Sequence, residues 1–96
     1  MLDLKITGGR LIDGTGAPAR AGDVGITGDR ITAVDDLSRE PAGRTIDASG
    51  RTVGPGFIDV HSHSDWRLWD NRRAESKIRQ GVTTEVVGNC GFSPAP

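Results

Sequence analysis

A mixed α/β chain, with short strands first and a strand-helix-strand unit after them, is predicted by three observations. Up to residue 53, apolar and polar residues alternate in short runs broken by glycines. From Pro55 the apolar residues run together in Phe57-Ile58-Asp59-Val60, and the polar stretch that follows carries Ala74 and Ile78 four apart. Alternation marks strands with one buried face, a continuous apolar run marks a strand buried on both, and a spacing of four marks one face of a helix.

Leu2, Leu4 and Ile6 alternate with Asp3, Lys5 and Thr7, and Gly8-Gly9 reads as a tight reversal into Arg10-Leu11-Ile12, so a hairpin is expected first. Asp13-Gly14-Thr15-Gly16 is glycine-rich but lacks the Gly-Lys-Ser/Thr ending of a phosphate loop, and no helical pattern follows it. Asp23-Val24-Gly25-Ile26 and Arg30-Ile31-Thr32-Ala33-Val34, joined by Gly28-Asp29, predict a second strand-turn-strand unit. After a polar loop over 38–43, Thr45-Ile46-Asp47 and Arg51-Thr52-Val53 flank the turn Ala48-Ser49-Gly50. Residues 1–53 are thus expected to form short antiparallel strands whose apolar face needs cover from elsewhere.

The strand 57–60 is expected to be buried on both faces, and a helix is expected over 72–80, capped by Asp70 or Asn71 and ended by Gly81. Val82-Thr83-Thr84-Glu85-Val86-Val87 is β-branched and strand-like, and runs into Gly88-Asn89-Cys90-Gly91. A strand-helix-strand unit normally makes two parallel neighbours. That arrangement puts His61, His63 and Cys90 just beyond the carboxyl ends of adjacent strands, the edge where α/β folds and barrels carry their chemistry.

Composition narrows the function. The net charge is −1, and the twelve basic residues, all arginine except Lys5 and Lys77, are spread along the chain, so no basic patch suits nucleic acid or an anionic membrane. No apolar run approaches the roughly 20 residues that span a bilayer, and Met1-Leu2-Asp3-Leu4-Lys5 has no signal-peptide pattern, so a cytoplasmic location is expected. With 34% hydrophobic residues and 14 glycines among 96, the core is thin and independent stability is doubtful. Cys90 is the single cysteine, so an internal disulfide is excluded.

His61 and His63 lie two apart, and residues two apart on a strand share a face, so both imidazoles can converge on one metal ion. With the Cys90 thiolate they make a plausible Zn set of three ligands that leaves a position for water. The plainer reading is of two polar residues after a strand. The buried strand before them, the Gly-Pro-Gly turn and Asp65, a possible ligand orienter or substrate contact, favour the metal. Cys90 has two other readings, a small buried apolar residue or a nucleophile; its glycine-rich setting disfavours the first, and no basic neighbour supports the second. Trp66 and Trp69 read as walls of a loop, Asp59 as an internal hydrogen-bonding group, and Arg67, Arg72, Arg73 and Arg79 as a solvated helix face.

These residues resemble the amidohydrolase superfamily, and within it the D-aminoacylase branch of N-acyl-D-amino-acid deacylases. The likeness runs from Ile6-Thr7-Gly8-Gly9-Arg10-Leu11-Ile12-Asp13-Gly14-Thr15-Gly16 through Asp23-Val24-Gly25-Ile26, Asp29-Arg30-Ile31 and Asp47-Ala48-Ser49-Gly50-Arg51. It continues into Pro55-Gly56-Phe57-Ile58-Asp59-Val60-His61-Ser62-His63 and ends in Gly88-Asn89-Cys90-Gly91-Phe92-Ser93-Pro94-Ala95-Pro96. A cysteine ligand in this setting resembles the deacylases and not the dihydroorotases, hydantoinases or ureases.

The resemblance implies a fold and an activity. Residues 1–53 would be part of a small β-sandwich, and 54–96 the first strand-helix-strand of a metal-dependent (β/α)₈ barrel. His61, His63 and Cys90 would hold Zn, one or two ions in the parent enzyme. The implied reaction hydrolyses an N-acyl-D-amino acid to a carboxylate and a D-amino acid with a metal-activated water. A complete barrel takes about 250 residues, so the chain is expected to be an amino-terminal portion, inactive alone, with the general acid and base supplied from outside it. Two alternatives stand beside this: an amidohydrolase acting on cyclic amides, as dihydroorotases and hydantoinases do, and a non-catalytic fragment that self-associates through its exposed strands.

Overall fold

In the computed structural model, which describes residues 1–94, the alternation that begins at Leu2 runs through Gly8-Gly9 without reversing. Strand β1 spans Leu2–Leu11 and is the centre of its sheet, so the expected first hairpin is not formed. The two glycines make a bulge: the pairing of β1 with β2 (Arg20–Thr27) shifts register between Ile6 and Gly9. Gly8 takes φ +69°, and its N–H turns out of the ladder to the Asp23 carboxylate at 2.9 Å. A Gly-Gly pair serves a turn or a bulge equally well, because both need the left-handed backbone. Gly9 is needed for another reason, since a Cβ there would sit 2.6 Å from a methyl of Val53.

The hairpin of β2 and β3 (Arg30–Asp35) forms as the alternation predicts, turning at Gly28-Asp29. Strands β4 (Ala42–Asp47) and β5 (Thr52–Val53) differ from expectation: both run parallel to β1. The loop after β3 carries the chain back to the start of β1, and the turn after β4 lets β5 continue along the same edge. The sheet order is β3-β2-β1-β4, with β5 beside the end of β1. Leu11, Val24, Leu37 and Ala48 are its buried apolar residues. Lys5 is buried too, and its Nζ donates to the carbonyls of Leu37 and Glu40 at 2.9 and 2.8 Å, closing the loop over the sheet.

The chain divides into two compact units, Met1–Pro55 and Gly56–Pro96. In the second, β6 (Phe57–Asp59) and β7 (Val82–Glu85) pair in parallel, the geometry predicted for a strand-helix-strand unit. A Cβ at Gly56 would fall on the Thr83 side chain, so glycine permits the two strand ends to meet. The helix between them is shorter than expected: α1 covers Glu75–Ile78. Ala74 precedes it with φ +47°, a left-handed conformation that stops extension toward Arg72, and neither Asp70 nor Asn71 caps it with a side chain. Gly81 closes the last turn by donating to the Ile78 carbonyl at 3.0 Å.

The expectation that the strand 57–60 is buried on both faces is not met in this chain: Phe57 and Ile58 are 68% and 63% exposed. Among the described residues β6 and β7 pair only with each other, so nothing covers their apolar side chains. No helix among the described residues is long and apolar enough to cross a membrane. Ala95 and Pro96, the end of the block that carries the resemblance, lie outside the described residues.

Candidate metal centre

Strand β6 ends at Asp59, and His61 and His63 follow in the segment that leads to a 3₁₀ turn at Ser64–Trp66. Strand β7 ends at Glu85, and Cys90 lies in a second 3₁₀ turn, Asn89–Gly91. The two segments are tied together beyond the strands: Val86 N–H donates to Asp59 O at 2.8 Å and Ser62 N–H to Val86 O at 3.0 Å. Asn89 Nδ2 donates to Val86 O at 2.8 Å and lies 3.4 Å from Ser62 O.

His61, His63 and Cys90 are brought together, their ligand atoms all within 4.8 Å of one another. Cys90 Sγ lies 3.4 Å from His61 Nε2. A Zn–S bond of about 2.3 Å and a Zn–N bond of about 2.0 Å at the tetrahedral angle put S and N roughly 3.6 Å apart, so this pair already has the spacing of two ligands on one ion. The imidazoles of His61 and His63 meet edge to face with centroids 5.4 Å apart. Cys90 takes φ +59°, a left-handed conformation that a non-glycine residue adopts at a cost and that is concentrated at functional sites. Two imidazoles and a thiol therefore fit a divalent metal in donor type and spacing, and all three are exposed.

Behind the histidines is a polar network that the sequence did not reveal. Glu85 Oε1 accepts from Ser62 Oγ at 2.7 Å and from Ser64 Oγ at 2.8 Å, and Lys77 Nζ stands 3.5 Å away. Lys77 donates to Asp59 Oδ2 at 2.7 Å, and Asp59 Oδ1 accepts the His61 N–H at 3.2 Å. The Ser62 hydroxyl holds the Glu85 carboxyl below its usual range, with Ser64 adding to it. Lys77, and then the His61 amide, do the same for Asp59, and the Asp59 bond raises Lys77. Asp59 is thus the internally bonded group that was expected.

A cleft of about 410 Å³ beside the cluster is lined by His63, Trp66, Arg67, Cys90 and Phe92. Phe92 packs against Trp66 and His63, with centroids at 5.8 and 6.1 Å. Trp66 is a wall residue as expected, whereas Trp69 is 76% exposed with Arg72 over its ring. Arg73 is on the solvated side, but Arg67 lines the cleft as well as pairing with Asp70 at 4.0 Å. The Asp65 carboxylate is not joined to the histidines; both its oxygens are buried and have no hydrogen-bond partner among the described residues. Asp13-Gly14-Thr15-Gly16 is not an anion loop: Asp13 accepts from the Thr15 amide and hydroxyl at 2.9 and 2.6 Å, which places a carboxylate in it.

The N-acyl-D-glutamate deacylase of Alcaligenes xylosoxydans xylosoxydans is 56% identical over 99% of this chain, which spans 20% of that protein. The crystal structure of N-acyl-D-glutamate deacylase from Bordetella bronchiseptica, complexed with zinc and a phosphonate mimic of the tetrahedral intermediate, superposes with a TM-score of 0.95 at 54% identity; the match covers 99% of this chain and 20% of that one. A D-aminoacylase structure solved to study its binuclear metal centre gives 0.96 at 55% identity, covering 100% of this chain and 20% of that one. The chain therefore spans about a fifth of the length of these relatives. Residues 44–96, more than half of the sequence, match the amidohydrolase family profile, and the chain belongs to the amidohydrolase family.

Proposed function

We propose that this chain is the amino-terminal portion of a zinc-dependent hydrolase that cleaves the amide bond of N-acyl-D-amino acids to a carboxylate and a D-amino acid. The observation that carries the reading is the convergence of Cys90 with His61 and His63, one sulfur and two nitrogen donors, at the carboxyl ends of two parallel strands. High identity to deacylases described with zinc, with a binuclear centre and with a tetrahedral-intermediate mimic supports it. His61, His63 and Cys90 would hold one or two zinc ions. When bound, zinc polarises a carbonyl and lowers the pKa of water to about 7, the chemistry that amide hydrolysis requires.

The residues of this chain have defined tasks in that reaction. His61 and His63 would hold the ion through neutral imidazoles and Cys90 through its thiolate, so uptake of the ion would release a proton. Trp66 and Phe92 form an apolar wall against which part of an acyl amino acid can lie. The general acid and base come from outside these residues, and the chain alone is not competent.

In the same reading Met1–Pro55 is part of a small β-sandwich, and the unit from Gly56 begins a (β/α)₈ barrel. The exposed Phe57, Ile58 and Val60 support this, since further barrel strands and helices would cover them. A cyclic-amide hydrolase would leave Cys90 without a task, and its 3.4 Å approach to His61 favours the deacylase.

The test is a chimera in which this chain replaces the corresponding fifth of the Alcaligenes N-acyl-D-glutamate deacylase. Release of D-glutamate from the N-acetyl compound is expected, with loss of turnover and zinc in Cys90→Ala. A chimera that folds and binds zinc but leaves N-acyl-D-amino acids intact would overturn the proposal.

A further inference from the structure

Glu85 lies at the end of β7, and its carboxylate is the point where the segment carrying the histidines meets the segment carrying the cysteine. One oxygen, Oε1, takes the hydroxyls of Ser62 and Ser64, the residues on either side of His63. Ser62 is 4% exposed and is the one buried residue of its unit among those described. Its Oγ also accepts the Ser64 N–H at 3.1 Å, so the stretch from Ser62 to Ser64 is held from side chain and backbone together. Through Lys77 the carboxylate is linked to Asp59, which takes the His61 N–H. The serines on either side of His63 are thereby bonded to Glu85 directly, and the carboxylate that takes the His61 N–H is joined to it through Lys77. Directly after Glu85 come Val86, which accepts the Ser62 N–H, and Asn89 and Cys90.

We propose that Glu85 is the positioning residue of the metal centre, fixing the two imidazoles against Cys90 at ligand spacing. The inference rests on the reading that His61, His63 and Cys90 hold a metal, and it adds a residue that touches none of the ligand atoms. Three unlinked ligands on exposed segments would have to be ordered by the ion itself, at a cost to its affinity. Groups that orient metal ligands typically account for 10–100-fold in affinity when lost. Glutamate suits the position because one oxygen can accept two hydroxyls while its charge holds the lysine.

The test is Co(II) affinity of the 96-residue chain at pH 7, by chelator competition and by the thiolate-to-cobalt charge-transfer absorption. Glu85→Ala is expected to weaken binding about 10–100-fold at a temperature where it is as folded as the parent. Glu85→Gln, which keeps an oxygen for both hydroxyls, is expected to recover most of that loss, and Glu75→Gln on the exposed face of α1 to leave affinity unchanged. Should Glu85→Ala fail to fold, Ser62→Ala combined with Ser64→Ala removes the same bonds and leaves Glu85 on Lys77; a similar weakening is expected. Unchanged cobalt affinity in a folded Glu85→Ala or in the serine double variant would overturn the proposal. A parent chain that binds no cobalt would overturn the metal reading itself, a result separate from a parent that binds while the variants are unaffected.

Discussion

In the unit Met1–Pro55 the buried side chains are apolar, Leu11, Val24, Leu37 and Ala48, joined by one lysine capped by carbonyls. In the unit from Gly56 the one described residue that is buried is a serine, and the large apolar side chains of β6 are exposed. The first is a sheet built around β1 with its own small core; the second is a pair of strands held by charge and hydroxyl bonds. Chain order thus separates a part with a small apolar core from a part that arranges donors.

Core truncation draws the sharpest line between the units. Leu37→Ala or Leu11→Ala is expected to destabilise the first unit by about 2–5 kcal/mol, since each removes a buried side chain. Ile58→Ala removes an exposed one and is expected to stay within about 0.5 kcal/mol. Amide hydrogen exchange read residue by residue separates the two, and an equal cost for Ile58→Ala would break the comparison.

Acid tests the polar side of it. Asp59 and Glu85 titrate below ordinary carboxyls, so the folded second unit binds fewer protons than its unfolded form. Their contribution is complete above the usual carboxyl range near pH 4 and is lost as pH falls through the lowered values. Lys77 is raised, so its contribution is present below about pH 10 and is lost as pH climbs through its folded value. In the first unit Asp13, Asp36 and Asp47 are also lowered, but each is bonded to a Ser or Thr two residues on, in its own exposed turn. Acid should therefore free the Ser62 and Val86 amides before the β1 ladder, after correction for intrinsic exchange rates. Simultaneous opening of both units would contradict this.

Lys77→Met is a smaller perturbation of the same kind. It leaves two carboxylates, Asp59 and Glu85, without the cation between them, and a modest gain in Ser62 exchange is expected because water partly screens the pairs. The smallest effect is expected at Asp65, whose buried oxygens lack partners among the described residues: Asp65→Asn should raise the melting temperature of the chain slightly, since a neutral amide is less costly to bury than an unpaired carboxylate. A fall in melting temperature would show that the carboxylate has a partner after all.

Local patterns revealed what is local. The β2–β3 hairpin followed from alternation around Gly28-Asp29, and the convergence of His61, His63 and Cys90 followed from strand ends and a parallel pair. The parallel pairing of β4 and β5 with β1 was not legible, because alternation is the same in either direction. The helix was overextended because a polar run shows no sign of the left-handed turn at Ala74. The network behind the histidines was missed because Ser62 and Glu85 are 23 residues apart; the available signal was a lone charge within the β-branched run 82–87.

The central claim is that Cys90 and the histidine pair form one metal site, and zinc X-ray absorption on the zinc-loaded chain tests it most directly. The account predicts one sulfur near 2.3 Å with nitrogen or oxygen neighbours near 2.0–2.1 Å, and loss of the sulfur shell in Cys90→Ser. A zinc environment of nitrogen and oxygen alone in the unaltered chain would contradict it.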